Sequence, residues 1–382
     1  MLETNWSIVA GIYNTTFSLF FFFLAFLMFF VAYRGYKAKN NYGGSSTAFS
    51  GIMFVIFGYY NSIFGFLPYP YNGYMIWWIG IILGIFLVFA FIIKKISEDM
   101  EKQKIKGNKK RDTTLRRFVR YIRENDPYKK SISIKMEGVR KSFHLAGLLF
   151  LLSFFGFFFI PPVTTLVNNS VIDFIHQQEW SYNLLWGDIN EQYPYVKNDF
   201  QAVIDLTMFA LIATLVLTII SDLIRVLWGP EYSIFNFLTK NVLRKKEFNA
   251  AGPQIYLITG AIVSYLFYIL GIVPIWIVVC SILVACFSDA LAALIGRQYG
   301  KHKITCIGGE VKSIEGFIAG AGSAYLIGLF TVGPVLAIFA ALIFFLLDYF
   351  PIVIADNILN PILITVGLAI FTSLLGIPIG LF

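Results

Sequence analysis

Runs of about 20 apolar residues recur from one end of this chain to the other, and each is the length a helix needs to cross a hydrocarbon core about 30 Å thick. Ten can be read, at 8–33, 48–67, 74–94, 138–160, 202–220, 251–270, 273–295, 313–331, 334–350 and 360–381. In lipid each backbone N–H and C=O must find its partner inside the protein, so such runs fold as helices. Of the 382 residues 58% are hydrophobic and 14% charged, more apolar surface than a water-soluble globule of this length can hide. The expected fold is an all-α, polytopic integral membrane protein with about ten transmembrane helices.

Charge asymmetry predicts its orientation. The segment from Lys94 to Lys141 holds 17 of the 30 lysines and arginines, and smaller basic clusters lie at 34–39, 225–246 and 297–312. The connection 161–200 instead carries Lys197 alone against Asp173, Glu179, Asp188, Glu191 and Asp199, and PYPYNGY at 68–74 carries no charge. Alternation through ten spans puts every basic cluster on the cytoplasmic side and both termini outside. The net charge of +8 is thus mainly a topology signal, and its spread among membrane loops argues against nucleic acid as a partner.

The amino-terminal stretch MLETNWSIVAGIYNTTF lacks a positive n-region and a small-residue cleavage site, so the first span is expected to be retained. The scattered Cys280, Cys286 and Cys306, like the three dispersed histidines, suggest neither a disulfide framework nor a zinc site. The chain divides into three parts: a three-helix membrane region at 1–93, a basic cytoplasmic linker at 94–135, and a membrane domain at 136–382. Residues 114–124 and 231–248 read as amphipathic helices in the headgroup plane. The aromatic loop 161–200 reads as interfacial packing, and Asn168-Asn169-Ser170 within it as a glycosylation acceptor only where an organism modifies such sites.

Ionisable groups beside the hydrocarbon are costly and need a partner or a role. Here they stand at cytoplasmic span ends. Glu137, Arg140, Lys141 and His144 share one helical face. Asp222 and Arg225 sit where the fifth span emerges. Asp289, Ala293, Gly296 and Gly300 form a stripe of small residues headed by an acid, followed by Lys301 and flanked by Arg297. Lys312, Glu315, Gly316 and Gly320 fall at helical spacing where the eighth span begins. Asp356, Asn357 and Pro361 open the tenth, with Asp348 at the inner end of the ninth.

Three residues separate Gly296 from Gly300 and His302 follows Lys301, so this is no Walker A loop. Its small residues also suit close helix packing. Glycine amides with Arg297 and Lys301 are nevertheless sound phosphate ligands, and a facing carboxylate suits a divalent cation. Carboxylates, cations and glycines on one membrane face are the parts needed for metal-assisted phosphoryl transfer. A carrier would more naturally place such groups near the bilayer midplane.

The series E-x-x-R-K-x-x-H (Glu137 to His144), D-x-x-A-x-x-x-G-x-x-x-G (Asp289 to Gly300), K-x-x-E-G (Lys312 to Gly316) and D-N-x-x-x-P (Asp356 to Pro361) resembles the CTP-dependent lipid kinases. These comprise dolichol or polyprenol, phytol and CTP-using diacylglycerol kinases, and are related to the phosphatidate cytidylyltransferases. The resemblance implies a cytoplasm-facing CTP and Mg²⁺ site that phosphorylates a lipid alcohol, in a prokaryotic plasma membrane or endoplasmic reticulum. It implies catalytic roles for Asp289, Glu315, Lys312 and His144, with metal at Asp289 and Glu315. Nucleotide contacts would come from Arg140, Lys141, Gly296, Arg297, Gly300, Lys301, Gly316, Asp222, Arg225, Asp356 and Asn357. Cytidylyltransferases end in a lysine- and arginine-bearing segment, whereas no lysine or arginine follows Lys312 here, which favours the kinase branch. Ser313 stands where that branch often has threonine. The extra amino-terminal spans are closer to dolichol kinases, so dolichol or polyprenol is the first expected acceptor, then diacylglycerol or phytol. A cytidylyltransferase, or a transporter or scaffold without activity, is the alternative.

Overall fold

The computed structural model describes residues 6–105, 113–124, 199–235, 249–307, 311–350, 352–377 and 379, with isolated positions between 165 and 180. The expected fourth span, with Glu137, Arg140, Lys141 and His144, lies outside the described residues, as do most of the loop 161–200 and most of the expected amphipathic helix at 231–248.

The described chain is helical apart from one hairpin. Its elements are α1 (Trp6–Lys37), α2 (Asn41–Ile63), α3 (Tyr71–Ile105), α4 (Thr114–Glu124), α5 (Asp199–Leu227), α6 (Pro253–Ile269), α7 (Ile275–Leu283), α8 (Asp289–Gln298), β1 (Lys303–Thr305), β2 (Val311–Ser313), α9 (Ile314–Thr331), α10 (Pro334–Tyr349) and α11 (Asp356–Leu375). A π-helical segment, Val284–Ser288, joins α7 to α8 in one continuous rod. Among the described residues six helices are long and apolar enough to cross a membrane: α1, α3, α5, the α7–α8 rod, α9 and α11. This is a helical membrane protein. The apolar α6 and α10 are shorter, at 17 and 16 residues.

Helix packing is set by small residues. On α2, Gly44, Gly51 and Gly58 recur every seventh residue and meet Tyr36, Phe29 and Phe22, which recur every seventh residue on α1. A Cβ added at the three glycines would lie 3.1, 3.1 and 2.9 Å from those rings, so each missing side chain is a socket for a ring. A polar knot pins one end of this pair: Asn61 Nδ2 donates to the Asn14 carbonyl and to Ser18 Oγ, both at 2.8 Å. Between α6 and α11 the approach is to backbone, since a Cβ at Gly260 would lie 2.8 Å from the Ile358 carbonyl. Ser264 Oγ crosses the same contact to donate to the Pro361 carbonyl at 2.9 Å.

The amphipathic α4 does not rest wholly on lipid headgroups. Val119 is fully buried while Leu115 is exposed, and Arg116 pairs with Asp99 of α3.

At the end of α5 an ion pair is buried outright. Arg225 Nε lies 2.6 Å from Asp222 Oδ1, with side-chain exposures of 1% and 3%. Arg225 also donates to the Ala250 carbonyl at 2.8 Å, and Asp222 Oδ2 accepts from the Gly252 amide at 2.6 Å. The pair thereby fixes the turn that leads into α6. Arg225→Met strands the carboxylate in an apolar interior, so it is expected to cost about 3–5 kcal/mol. The corresponding fall in thermal unfolding temperature in detergent checks this, and adding Asp222→Leu is expected to recover part of it.

Candidate functional site

The site starts from the rod α7–α8. A π segment widens the helix by one residue and re-aims the turns beyond it, and Asp289, directly after it, turns into a cleft. From Asp289 onward, small residues let α8 lie against α9. A Cβ at Gly316 would come 2.8 Å from the Ala292 carbonyl, one at Gly296 2.9 Å from Ser313 Oγ, and one at Gly320 2.9 Å from the Ala292 side chain. Ser313 caps α9: its Oγ accepts from the Gly316 amide at 3.1 Å and donates to the Gly296 carbonyl at 3.3 Å. The small-residue stripe read from the sequence is thus a helix contact, and the hairpin β1–β2, with Ile304 opposite Lys312, folds over its end.

A cleft of about 340 Å³ opens beside this contact, lined by Asp289, Gly296, Arg297, Lys303, Lys312, Gly316, Asp348, Asp356, Asn357 and Asn360 together with Tyr42, Pro253 and Tyr256. Its volume is that of a small-molecule site. Three carboxylates and three cations share the wall. Phe317, Leu347, Ile352 and Ile354 make one side apolar.

Lys312 is the hinge of the electrostatics. Its ammonium donates to the Asp348 carbonyl at 2.7 Å and to Asp348 Oδ1 at 2.5 Å, and it lies 5.9 Å from the centroid of the Phe317 ring. Burial alone would lower its pKa, but Asp348, helped by Asp356, outweighs burial and holds it above the ordinary lysine value. It therefore stays charged through the neutral range. Any stability it contributes through this shift is fully present below the ordinary lysine pKa of 10.5 and is lost only as pH rises through the higher folded value. Asp289 and Asp356 both lie close enough to Asp348 for their charges to act on it.

Of the residues singled out from the sequence, Asp289, Gly296, Arg297, Lys312, Gly316, Asp356 and Asn357 meet on this wall. Glu315 does not. The helical spacing that puts Lys312 and Glu315 on one face fails because α9 begins at Ile314 and Lys312 belongs to β2. Glu315 turns to the hairpin, where Oε1 lies 2.8 Å from His302 Nδ1 and accepts from the His302 amide at 3.1 Å. It fastens the hairpin and is not among the residues that line the cleft with Asp289. Gly300 is a packing residue, since a Cβ there would fall 2.1 Å from the Gly296 carbonyl, and Lys301 is exposed away from the wall. Asp222 and Arg225 bond each other and backbone at the turn into α6 and do not line the cleft.

Among the wall residues that sequence reasoning misses are Tyr42, Tyr256, Lys303 and Asn360, and it places Asp348 only at a span end. Asn360 has a signal, standing one helical turn beyond Asp356. It is 4% exposed and its Oδ1 has no hydrogen-bond partner. Tyr42 has none, since it lies in the stretch assigned to a separate amino-terminal region. Among the described residues no three of His, Cys, Asp and Glu are gathered to hold a metal by themselves. The oxygen-only donors Asp289, Asp356 and Asn360 nevertheless suit a hard cation that keeps water and phosphate oxygens as its remaining ligands.

Compared with protein-family models, curated proteins and solved structures, the chain matches none.

Gly316→Ala is expected to force α8 from α9 and cost about 1–3 kcal/mol. Gly322→Ala, where an added Cβ meets nothing within 4 Å, is expected to be neutral or slightly stabilising. Thermal unfolding of the two variants side by side in detergent checks the pair.

Proposed function

We propose that this protein transfers the γ-phosphoryl group of CTP to the hydroxyl of a membrane lipid alcohol, with a polyprenol or dolichol as the first candidate acceptor. One observation carries the reading: three carboxylates, Asp289, Asp348 and Asp356, and three cations, Arg297, Lys303 and Lys312, line one cleft. In the proposed topology ten spans cross the membrane, both termini lie outside, and the cleft faces the cytoplasm, where nucleotide is found.

Phosphoryl transfer needs positioning and charge neutralisation more than covalent help. Arg297, Lys303 and Lys312 are the cations for a polyphosphate, Arg297 able to bind two oxygens at once. Asp289 and Asp356 are the carboxylates for Mg²⁺, which when bound would neutralise charge developing on the phosphate oxygens. Tyr42, half-buried on the cleft wall, offers a flat surface for a base. The order of motifs, the absence of basic residues after Lys312 and the apolar flank of the cleft favour a kinase acting on a lipid.

The test uses purified protein in micelles with Mg²⁺, γ-labelled CTP and a panel of polyprenol, dolichol, phytol, diacylglycerol and phosphatidate. Label is expected in an organic-soluble phosphate with an alcohol. Pyrophosphate released only with phosphatidate would replace the kinase by a cytidylyltransferase. Asp289→Asn is expected to reduce kcat/KM by about 10²–10³-fold, and Lys312→Met to raise the KM for CTP and lower kcat as well. A scaffold or carrier would show no nucleotide turnover for either variant to diminish.

A further inference from the structure

The cleft has two kinds of wall, and one carboxylate stands at their boundary. Asp348 is the penultimate residue of α10. On one side of it lies Lys312, and on the other an aromatic surface leads out of the cleft. Phe317, which lines the cleft, packs edge-on against Phe345 at 5.5 Å and against Tyr349 at 6.0 Å between ring centroids. Phe345 and Tyr349 stack at 6.0 Å, and Tyr349 meets Phe350 at 5.1 Å. Burial falls along this path, from 5% exposure at Phe317 to 37% at Phe345 and 44% at Phe350, with Ile352 at 47%. The surface therefore begins inside the polar cleft and ends exposed at the close of α10 and in the turn that follows it.

We propose that a long-chain alcohol enters along this aromatic rim and that Asp348 accepts the proton of its hydroxyl. The inference rests on the phosphotransferase reading above and adds the acceptor's path and the base, neither of which the motifs assign. In the step, the alcohol oxygen forms a bond to the γ-phosphorus while the bond from that phosphorus to the β,γ-bridging oxygen breaks. The bridging electrons leave with CDP. The hydroxyl proton passes to the Asp348 carboxylate and from there to water. Lys312, bonded to both the backbone and the carboxylate of Asp348, holds the base in place. Asp289 and Asp356 line the same cleft from α8 and α11.

Two readouts test this in the full-length protein. In the kinetic one, Asp348→Asn is expected to lower kcat by about 10²–10⁴-fold with the KM for CTP changed less than about threefold, and Asp348→Glu to restore part of the rate. A kcat within about threefold of wild type would overturn Asp348 as base while leaving the kinase reading intact. Wild-type protein that turns over no alcohol would instead overturn the kinase reading and the base with it. The second readout needs no turnover: a long-chain primary alcohol carrying a diazirine is photolysed on the protein and the labelled peptides are mapped. Label is expected on residues 345–353 and at Phe317, displaced by unlabelled alcohol and not by an alkane of equal length. Label confined to other helices, or equally displaced by the alkane, would overturn the path.

Discussion

The close approach of α8 and α9 is the contact on which the site depends. Helices carrying ordinary side chains stand apart by the thickness of those side chains. Here Gly296, Gly316 and Gly320 remove that layer, so the Ala292 carbonyl would lie only 2.8 Å from a Cβ on Gly316. Only at that separation can Ser313 cap α9 and still donate across to the Gly296 carbonyl. The cap fixes the last residue of β2, which fixes Lys312 one residue earlier, and Lys312 then reaches across to the end of α10. A chain of three short contacts thus carries the position of α8 into that of α10, and the cleft is the space they enclose.

Charge in this cleft is nearly balanced, which sets what it can accept. Three carboxylates and three cations on one wall give little net field at a distance but strong local ones, because the surroundings are partly apolar and screening is weak. A bare anion would have to draw Lys312 from Asp348. A cation accompanied by a polyphosphate meets opposite charge on both counts, without leaving any of the six groups stranded. Balance of this kind favours a ligand that itself carries both signs, and it penalises either sign alone.

Much of this architecture can be read from the chain, and the failures share one cause. Apolar length identifies the helical stretches because the bilayer leaves no other fold for them. The recurrence of Asp289, Ala293 and Gly296 reveals a close contact because small residues at helical spacing have few other uses. Periodicity reports which residues share a face, however, and says nothing of where a helix starts or what it meets. Spacing groups Glu315 with Lys312 on one helix, yet the helix begins between them and the two diverge. Asp222 and Arg225 have the composition of a site, but nothing in their spacing shows that backbone groups at 250 and 252 satisfy them. The heptad of Gly44, Gly51 and Gly58 gains meaning only beside the aromatic heptad of α1, which requires knowing that the two helices pair.

Tyr42 is the sharpest instance, and it bears on how the molecule is organised. The motifs all lie beyond residue 136, and by that measure the first three helices are an appendage to them. In the folded chain the start of α2 is built into the site. Ser46 Oγ accepts from the Ala355 amide at 2.9 Å, directly before α11, and Thr47 Oγ1 bonds to the Tyr256 hydroxyl at 2.9 Å and accepts from the Ala251 amide at 3.1 Å. These bonds satisfy the amides of Ala355, which lines the cleft, and of Ala251. α2 in turn is held by the rings of α1 in its glycine sockets. The polar, glycine- and serine-rich character of α2, which makes it a poor membrane span by composition, is what suits it to lie against backbone at a site wall. The amino-terminal helices are therefore a structural wall of the same cleft, and Tyr42 stands among its lining residues because α2 is fastened there.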